Sequence, residues 1–451
     1  MNGKARCLRG KMDITLVSFF IAVLITIGVA NSAFTLLALC MCAIVIALYD
    51  EDECVTFLFF IFPFATLFKL PDGGTSFFTY VELAFVLFHF YRKKLRMTKD
   101  DVFACILTLY VIICECLAQT VDVNRTIKFL SNLLLLGILT DVDIKAQHHR
   151  VFINYIIGFA ASGLLALMGS NYLPIDKFVT VKVEKFADGT STARFSGLYG
   201  DPNYFTINVI ISVCLILYLY HTKEIKGMMA IGLLMVFGYF IGATSSKSAL
   251  FMLIVPIALF VRNGVREHNI KAFAIVFVML IIGIYLMRSG KLSVFEYTLK
   301  RLSIVETDDV GSLTTGRTDI WKDYFTYFKK NLLQVLFGNG VGIYYLDGVA
   351  THNTYIDLIY QLGVFGTGLY VSLMHRIAVK IKISIKRNIN NYVVLICIAI
   401  MYAFLSQLQE FDLPFQLAIA LLMMNLQGDS STKKYLYDKT NLKAGDENNA
   451  E

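Results

Sequence analysis

This chain is poor in charge. Only 17% of its 451 residues are Asp, Glu, Lys or Arg, against 57% hydrophobic residues, and the mean hydropathy is +0.63. A soluble chain of this length has no core large enough to hide so much apolar surface, which excludes an ordinary water-soluble enzyme or binding module. Length alone points to two or three soluble domains, but the hydrophobic runs override it. The net charge of +7 does not signal nucleic acid, because the basic residues sit mostly in short loops beside apolar runs. Cysteine is missing where a disulfide would form. Cys7, Cys40, Cys42, Cys54, Cys105, Cys114, Cys116, Cys214 and Cys397 all lie outside the two longest polar loops, at about 169–202 and 288–352, so no disulfide framework is expected. Cys114 and Cys116 have no nearby histidine or second cysteine pair and read as helix packing. No internal repeat stands out. No small-residue cleavage site follows the basic N-terminus, so the first apolar run is expected to be a retained span.

What is present is a series of apolar runs. A helix needs about 20 residues to cross the hydrocarbon core. Runs of that order fall at 14–30, 33–49, 54–70, 77–91, 101–118, 126–140, 150–168, 203–220, 227–243, 246–262, 271–287, 353–375, 391–407 and 411–427. The expectation is an all-α polytopic bundle of about 12–14 transmembrane helices. It forms one membrane domain over 1–427, followed by a polar tail, 428–451, expected to be disordered. Pro63 is expected to kink the run 54–70 or turn it back.

Orientation follows from Lys and Arg. Lys4, Arg6, Arg9 and Lys11 place the N-terminus inside. Alternation then places Arg92, Lys93, Lys94 and Arg96 inside, then Arg262 and Arg266, then Arg376, Lys380, Lys382, Lys386 and Arg387. Both termini are expected in the cytoplasm and both long loops outside. The second long loop is too long to be a bare connection. Within it Ile320, Trp321, Tyr324, Phe325 and Phe328 recur at helical spacing. That pattern fits a helix lying in the outer interface, or equally a loop helix packed on the bundle.

The two outer loops carry the chain's chemistry. One reads Arg194-Phe195-Ser196-Gly197-Leu198-Tyr199-Gly200-Asp201-Pro202-Asn203. The other runs from Thr315-Gly316-Arg317 through Gly338-Asn339-Gly340 to His352-Asn353. Arginine stays charged and offers several donors to a phosphate, and histidine titrates near neutral pH, as a general base must. Each residue also has a plainer role open to it. An outer-loop arginine is most often a headgroup contact, Arg317 can simply begin a helix, and His352 and Asp201 can cap one. Lys247 can snorkel to the interface. Asp308 and Asp309 can hold a divalent cation with phosphate, but no third carboxylate is suitably spaced. Glu82, His89, Glu115 and Lys128 lie in or near spans and are functional candidates on that ground alone.

Four stretches in order resemble the O-antigen polymerase and O-antigen ligase superfamily of bacterial envelope enzymes. They are Arg194 to Asn203, Gly242-Ala243-Thr244-Ser245-Ser246-Lys247-Ser248-Ala249, Thr315-Gly316-Arg317 with Trp321, and His352-Asn353-Thr354-Tyr355 running to Gly363-Val364-Phe365-Gly366. The resemblance covers about 190–370; before that, only the hydrophobicity is shared. It implies a GT-C-like, metal-independent glycosyltransferase of the bacterial plasma membrane that needs no cofactor. Such an enzyme takes a glycan from undecaprenyl pyrophosphate and passes it to a hydroxyl. In a polymerase the acceptor is a lipid-linked repeat unit, and in a ligase it is lipid A core. The expected catalytic residues are His352, Arg194 and Arg317, with Arg194, Lys247 and Arg317 on the pyrophosphate and Asp201, Asn203 and Asn353 in support. Where the superfamily often has Ser-Arg, this chain has Ser246-Lys247, which keeps the charge but loses the planar fork. Implied partners are membrane lipid and the flippase and chain-length regulator of the same pathway. A lipid-linked oligosaccharide flippase or other transporter remains an alternative, but it has no need of a long outer loop bearing Arg and His, and no two-half repeat is seen. A non-catalytic membrane assembly partner is the third class.

Overall fold

The computed structural model describes residues 12–71, 75–94, 96–118, 121–141, 148–169, 172–179, 182–185, 191–266, 316–342, 346, 348–380, 392–406, 408, 410 and 412–424. The expected span 271–287, the Asp308-Asp309 pair, Thr315 and the tail 428–451 lie outside these residues.

The chain runs through α1 (Ile14–Gly28), α2 (Ser32–Leu48), α3 (Glu51–Ile61), α4 (Phe77–Arg92), α5 (Lys99–Ala118), α6 (Val123–Asp141) and α7 (His148–Gly169). A two-stranded antiparallel hairpin follows, β1 (Lys182–Lys185) with β2 (Ser191–Arg194), Lys182 opposite Arg194; with an isolated bridge between Leu346 and Val349 it departs from an otherwise all-helical chain among the described residues. Then come α8 (Pro202–His221), α9 (Gly227–Thr244), α10 (Lys247–Arg266), α11 (Arg317–Lys330), α12 (Leu332–Phe337), α13 (Thr354–Lys380) and α14 (Val393–Tyr402), and last α15 (Leu413–Met424). Among the described residues six helices, α5, α7, α8, α9, α10 and α13, are long and apolar enough to cross a membrane, and α1, α2, α14 and α15 are shorter apolar helices. The protein is thus a polytopic helical membrane protein by length and composition.

The helices that fall short do so for local reasons. Asn31 caps α2 by accepting from the Ala33 amide and confines α1 and α2 to 15 and 17 residues. The run 54–70 breaks where Pro63 was expected to break it. α3 ends at Ile61, a 3₁₀ turn covers Phe62–Phe64, and the Ser76 hydroxyl contacts the carbonyl oxygens of Ala65 and Phe68 beyond it. The acidic run ahead of α3 is a capping box of Asp50 and Glu53. Glu51 there also pairs with His89, and Arg92 donates to the carbonyls of Ile46 and Tyr49 that end α2.

Several ion pairs share one end of the bundle: Asp13 with Arg150, Glu224 with His148 and His149, Asp100 with Arg376, and Glu51 with His89; Asp122 with Arg125 and Asp319 with Lys322 stand apart from them. Under the alternation read from the sequence, every residue of the pairs at that shared end falls on the same face. The opposite end carries the starts of α8, α10 and α13 and the ends of α3, α9 and α14. Between the two ends lie α3 and α8, buried almost throughout. Phe62 stacks on Phe415 at 4.3 Å, and Tyr155 and Phe159 close the same aromatic cluster.

α11 settles the choice left open by its spacing. Tyr324, Ile356 and Tyr360 form a small core with Trp321 and Phe328 packed on it, so the helix is docked on the start of α13. Its partner α12 seats against a break in α13 at Gly363, where φ is +66°. The freed backbone groups find partners there. Asn339 and Gly340 amides donate to the Tyr360 and Gln361 carbonyls, and Tyr110 from α5 donates to the Leu362 carbonyl.

Candidate functional site

At the end opposite that group of ion pairs, four polar stretches distant in sequence meet around the start of α8. Arg194 closes β2, and its Nε donates to the Thr244 carbonyl over 3.1 Å while the Phe195 amide donates to the Ala243 carbonyl. The hairpin is thereby fastened to the last turn of α9. That helix stops because Ser245 turns left-handed, with φ +48°. Ser246 then starts α10. Its hydroxyl accepts from the Ala249 amide and donates to Asn203 Oδ1 at 3.0 Å, so Lys247 begins its helix beside the start of α8.

Asp201 is the N-cap of α8, accepting from the Asn203 amide over 2.7 Å. Asn353 is the N-cap of α13, accepting from the amides of Tyr355 and Ile356. Both are structural caps first, which is why these polar residues stand where apolar spans begin. Just before Asn353, His352 holds φ at +49°. Histidine tolerates this region better than most residues, but a non-glycine there is uncommon and turns the side chain away from the path a helix start would give it.

The fixed points around His352 are hydrogen bonds of its neighbour. The Thr351 hydroxyl donates to Asp357 Oδ1 over 2.6 Å, accepts from the Asn353 amide and meets the Ser406 hydroxyl at 3.1 Å. The Thr351 carbonyl accepts from Trp321 Nε1 at 2.9 Å. Thr354 donates to the Leu405 carbonyl, and Tyr204 to the Ser406 carbonyl. The loop of 350–354 is therefore tied to α11, α13 and the segment that follows α14, and through Ser406 to α8. Arg317, first residue of α11, places its guanidinium 5.8 Å from the Phe404 ring, in the same turn that carries Leu405 and Ser406.

A cavity of about 460 Å³ opens at this end. One wall is Tyr199, Gly200, Asp201 and Tyr204 from the start of α8. His352 and Ala350 face it, with Glu410 beside them, and Phe62, Ala65 and Thr66 complete it. The last three are available only because Pro63 breaks α3. His352 and Asp201, then, share one cavity. Asn203 is bonded to the wall of α10 behind it. Arg194, Lys247 and Arg317 lie on segments fastened to the same end, but none is among the described residues lining the cavity. Among the described residues no group of three or more His, Cys, Asp or Glu is gathered as a metal site requires.

Glu410 was not anticipated. It precedes the run 411–427 by one residue, as Asp201 precedes Pro202 and Asn203, and a carboxylate at the mouth of a span is a signal of the same kind. Asp357 was also missed, although it falls one helical turn after Asn353. None of the intramembrane candidates Glu82, His89, Glu115 and Lys128 is among the described residues lining the cavity. Glu115 accepts from the Thr126 hydroxyl at 2.7 Å, and Glu82 is fully buried on α4, where the charge of Lys128 acts on it. A further buried cluster joins Asn208, Asp412, Gln416, Tyr155 and Tyr402 below the cavity. It fixes α8, α7, α14 and α15 to one another. Compared with protein-family models, with curated proteins and with solved structures, the chain matches none.

Proposed function

We propose that this protein is a glycosyltransferase of the cell envelope. It would take a glycan from undecaprenyl pyrophosphate and pass it to a hydroxyl of a lipid-linked repeat unit on the outer face of the membrane. The observation that carries this reading is His352, held in a left-handed turn at the edge of a cavity where the arginine-bearing and lysine-bearing segments meet. The orientation, both termini cytoplasmic, belongs to the proposal, as does the GT-C-like fold.

In this mechanism His352 takes the proton of the acceptor hydroxyl as its oxygen bonds to the anomeric carbon. The bond from that carbon to the phosphate oxygen breaks, and the pyrophosphate leaves on its lipid. Arg194, Arg317 and Lys247 stabilise the charge that grows on the leaving oxygen. The proton passes from His352 to solvent and resets the base. Nothing in this sequence of steps requires a metal or cofactor.

The test is transfer by the purified protein in nanodiscs, with lipid-linked repeat units and no added metal, read as polymer length on a gel. Polymer from the wild type and none from His352→Asn supports the proposal. Transfer only to lipid A core makes the protein a ligase. Movement of the donor across the bilayer without transfer makes it a flippase and overturns the proposal.

A further inference from the structure

Resting on that reading, we propose that the cavity between Asp201, Glu410 and His352 is the seat of the acceptor sugar, a neutral or amino pyranose, and not of the donor's pyrophosphate or lipid. The assignment follows from what lines it. Among the described residues it has two carboxylates, Asp201 and Glu410, one imidazole, and no Lys or Arg. A pyrophosphate placed there would meet two like charges at close range. A lipid tail would strip water from the same carboxylates without offering them a hydrogen bond, which is costly.

A sugar ring fits both demands. Its hydroxyls donate to carboxylates, and its C–H face packs on aromatic rings, of which Tyr199 and Tyr204 supply two. The volume of about 460 Å³ lies within the range of about 300–1,000 Å³ usual for small-molecule sites. Asp201 already spends one oxygen on the Asn203 amide, so Glu410 is the carboxylate we assign to the sugar. Tyr204 donates its own hydroxyl to the Ser406 carbonyl, which fixes its ring as a wall. With the sugar so placed, its hydroxyl meets His352. The segments of Arg194, Lys247 and Arg317, which do not line the cavity, are left for the donor phosphates. The one site thus divides into an acidic inner half for the acceptor and a cationic outer half for the donor.

The protein carries its own probe. Trp321 is the only tryptophan in the chain, and its Nε1 donates to the carbonyl of Thr351, the residue before His352. Its fluorescence in nanodiscs is titrated with methyl pyranosides of glucose, galactose, mannose, N-acetylglucosamine and glucosamine, and separately with inorganic pyrophosphate. At least one pyranoside is expected to shift the emission saturably. Glu410→Gln, which keeps the shape and removes the charge, is expected to weaken that pyranoside about tenfold. The same variant should bind pyrophosphate as the wild type does or more tightly, because it removes a repelling charge. The opposite pattern, pyranosides unaffected by Glu410→Gln or pyrophosphate displacing them competitively, overturns the assignment. So does silence from the whole panel. The titration reads binding and not transfer, so a protein that fails to polymerise can still pass or fail it. In the transfer assay, Glu410→Ala should raise the acceptor KM with little change in donor binding.

Discussion

The Ser246 hydroxyl donates to Asn203 Oδ1 over 3.0 Å across 43 residues of chain. The bond ties the start of α10 to the start of α8, and it sets Lys247 against the helix whose cap, Asp201, lines the cavity. A single neutral bond of this kind contributes about 1 kcal/mol. Asn203→Ala and Ser246→Ala should each slow transfer by about tenfold, and the double variant should be little worse than either. Transfer rates in a double-mutant cycle check this, and full additivity would mean that the two residues act apart. On the proposed function, Lys247→Arg should keep or raise activity, since a guanidinium offers a phosphate two parallel donors.

His352→Asn separates chemistry from backbone. Asparagine tolerates the left-handed turn, so the thermal midpoint should stay within a few degrees of the wild type. Loss of a general base should lower transfer by about 10²–10⁴-fold. Thermal unfolding and transfer measured on the same preparation decide it. Unchanged transfer would leave His352 a turn residue.

Thr351 predicts a stability effect. Thr351→Val removes the hydroxyl that donates to buried Asp357 and leaves that carboxylate short of a donor, at a cost of about 1–3 kcal/mol. Thr351→Ser should behave as the wild type. Because the same residue holds the His352 turn, transfer should fall with the midpoint in the valine variant and recover in the serine one.

Glycines give a paired test. A methyl group at Gly338 would run into the Gln361 carbonyl, and one at Gly363 into the backbone of Gly338 and Leu336. Both positions also have positive φ. Gly338→Ala and Gly363→Ala should each cost more than about 2 kcal/mol. Gly232, within α9, has nothing within 4 Å of a built Cβ, and Gly232→Ala should be neutral or stabilising by up to about 1 kcal/mol. Midpoints of detergent-solubilised variants provide the comparison.

Orientation has its own experiment. A reporter placed near position 311 should be active only as an extracytoplasmic marker. Cytoplasmic activity there would put Arg317 and His352 on the wrong face for an outer-leaflet substrate.

Much of the architecture was readable because it rests on local rules. Apolar runs located most of the described helices within a few residues, Pro63 marked the end of α3, and the spacing of Ile320, Trp321, Tyr324 and Phe328 marked α11. Asp201 was readable as a helix cap, whereas the cap of α13, open to His352 on the sequence, falls on Asn353. The site was readable only in part, because its closure depends on contacts between distant segments. Glu410 becomes a site residue only when the end of α14 reaches the start of α8. That Arg194 clamps the end of α9, and does not line the cavity, follows from a carbonyl of Thr244 which no side-chain pattern reports. The break at Gly363 is written in a glycine, yet an apolar run around it looks like one continuous span.

That break bears on how the protein is made. A nascent helix entering the bilayer keeps its backbone groups bonded within itself. α13 can therefore enter straight and break at Gly363 only when other parts of the chain are ready to take the carbonyls of Tyr360, Gln361 and Leu362. Those parts, Tyr110 and the turn at Asn339 and Gly340, are all translated earlier. Docking of that turn is then the condition for the break, which the bilayer alone would not permit. The helix it bends begins two residues after His352, so the same docking bears on how the turn at His352 is held.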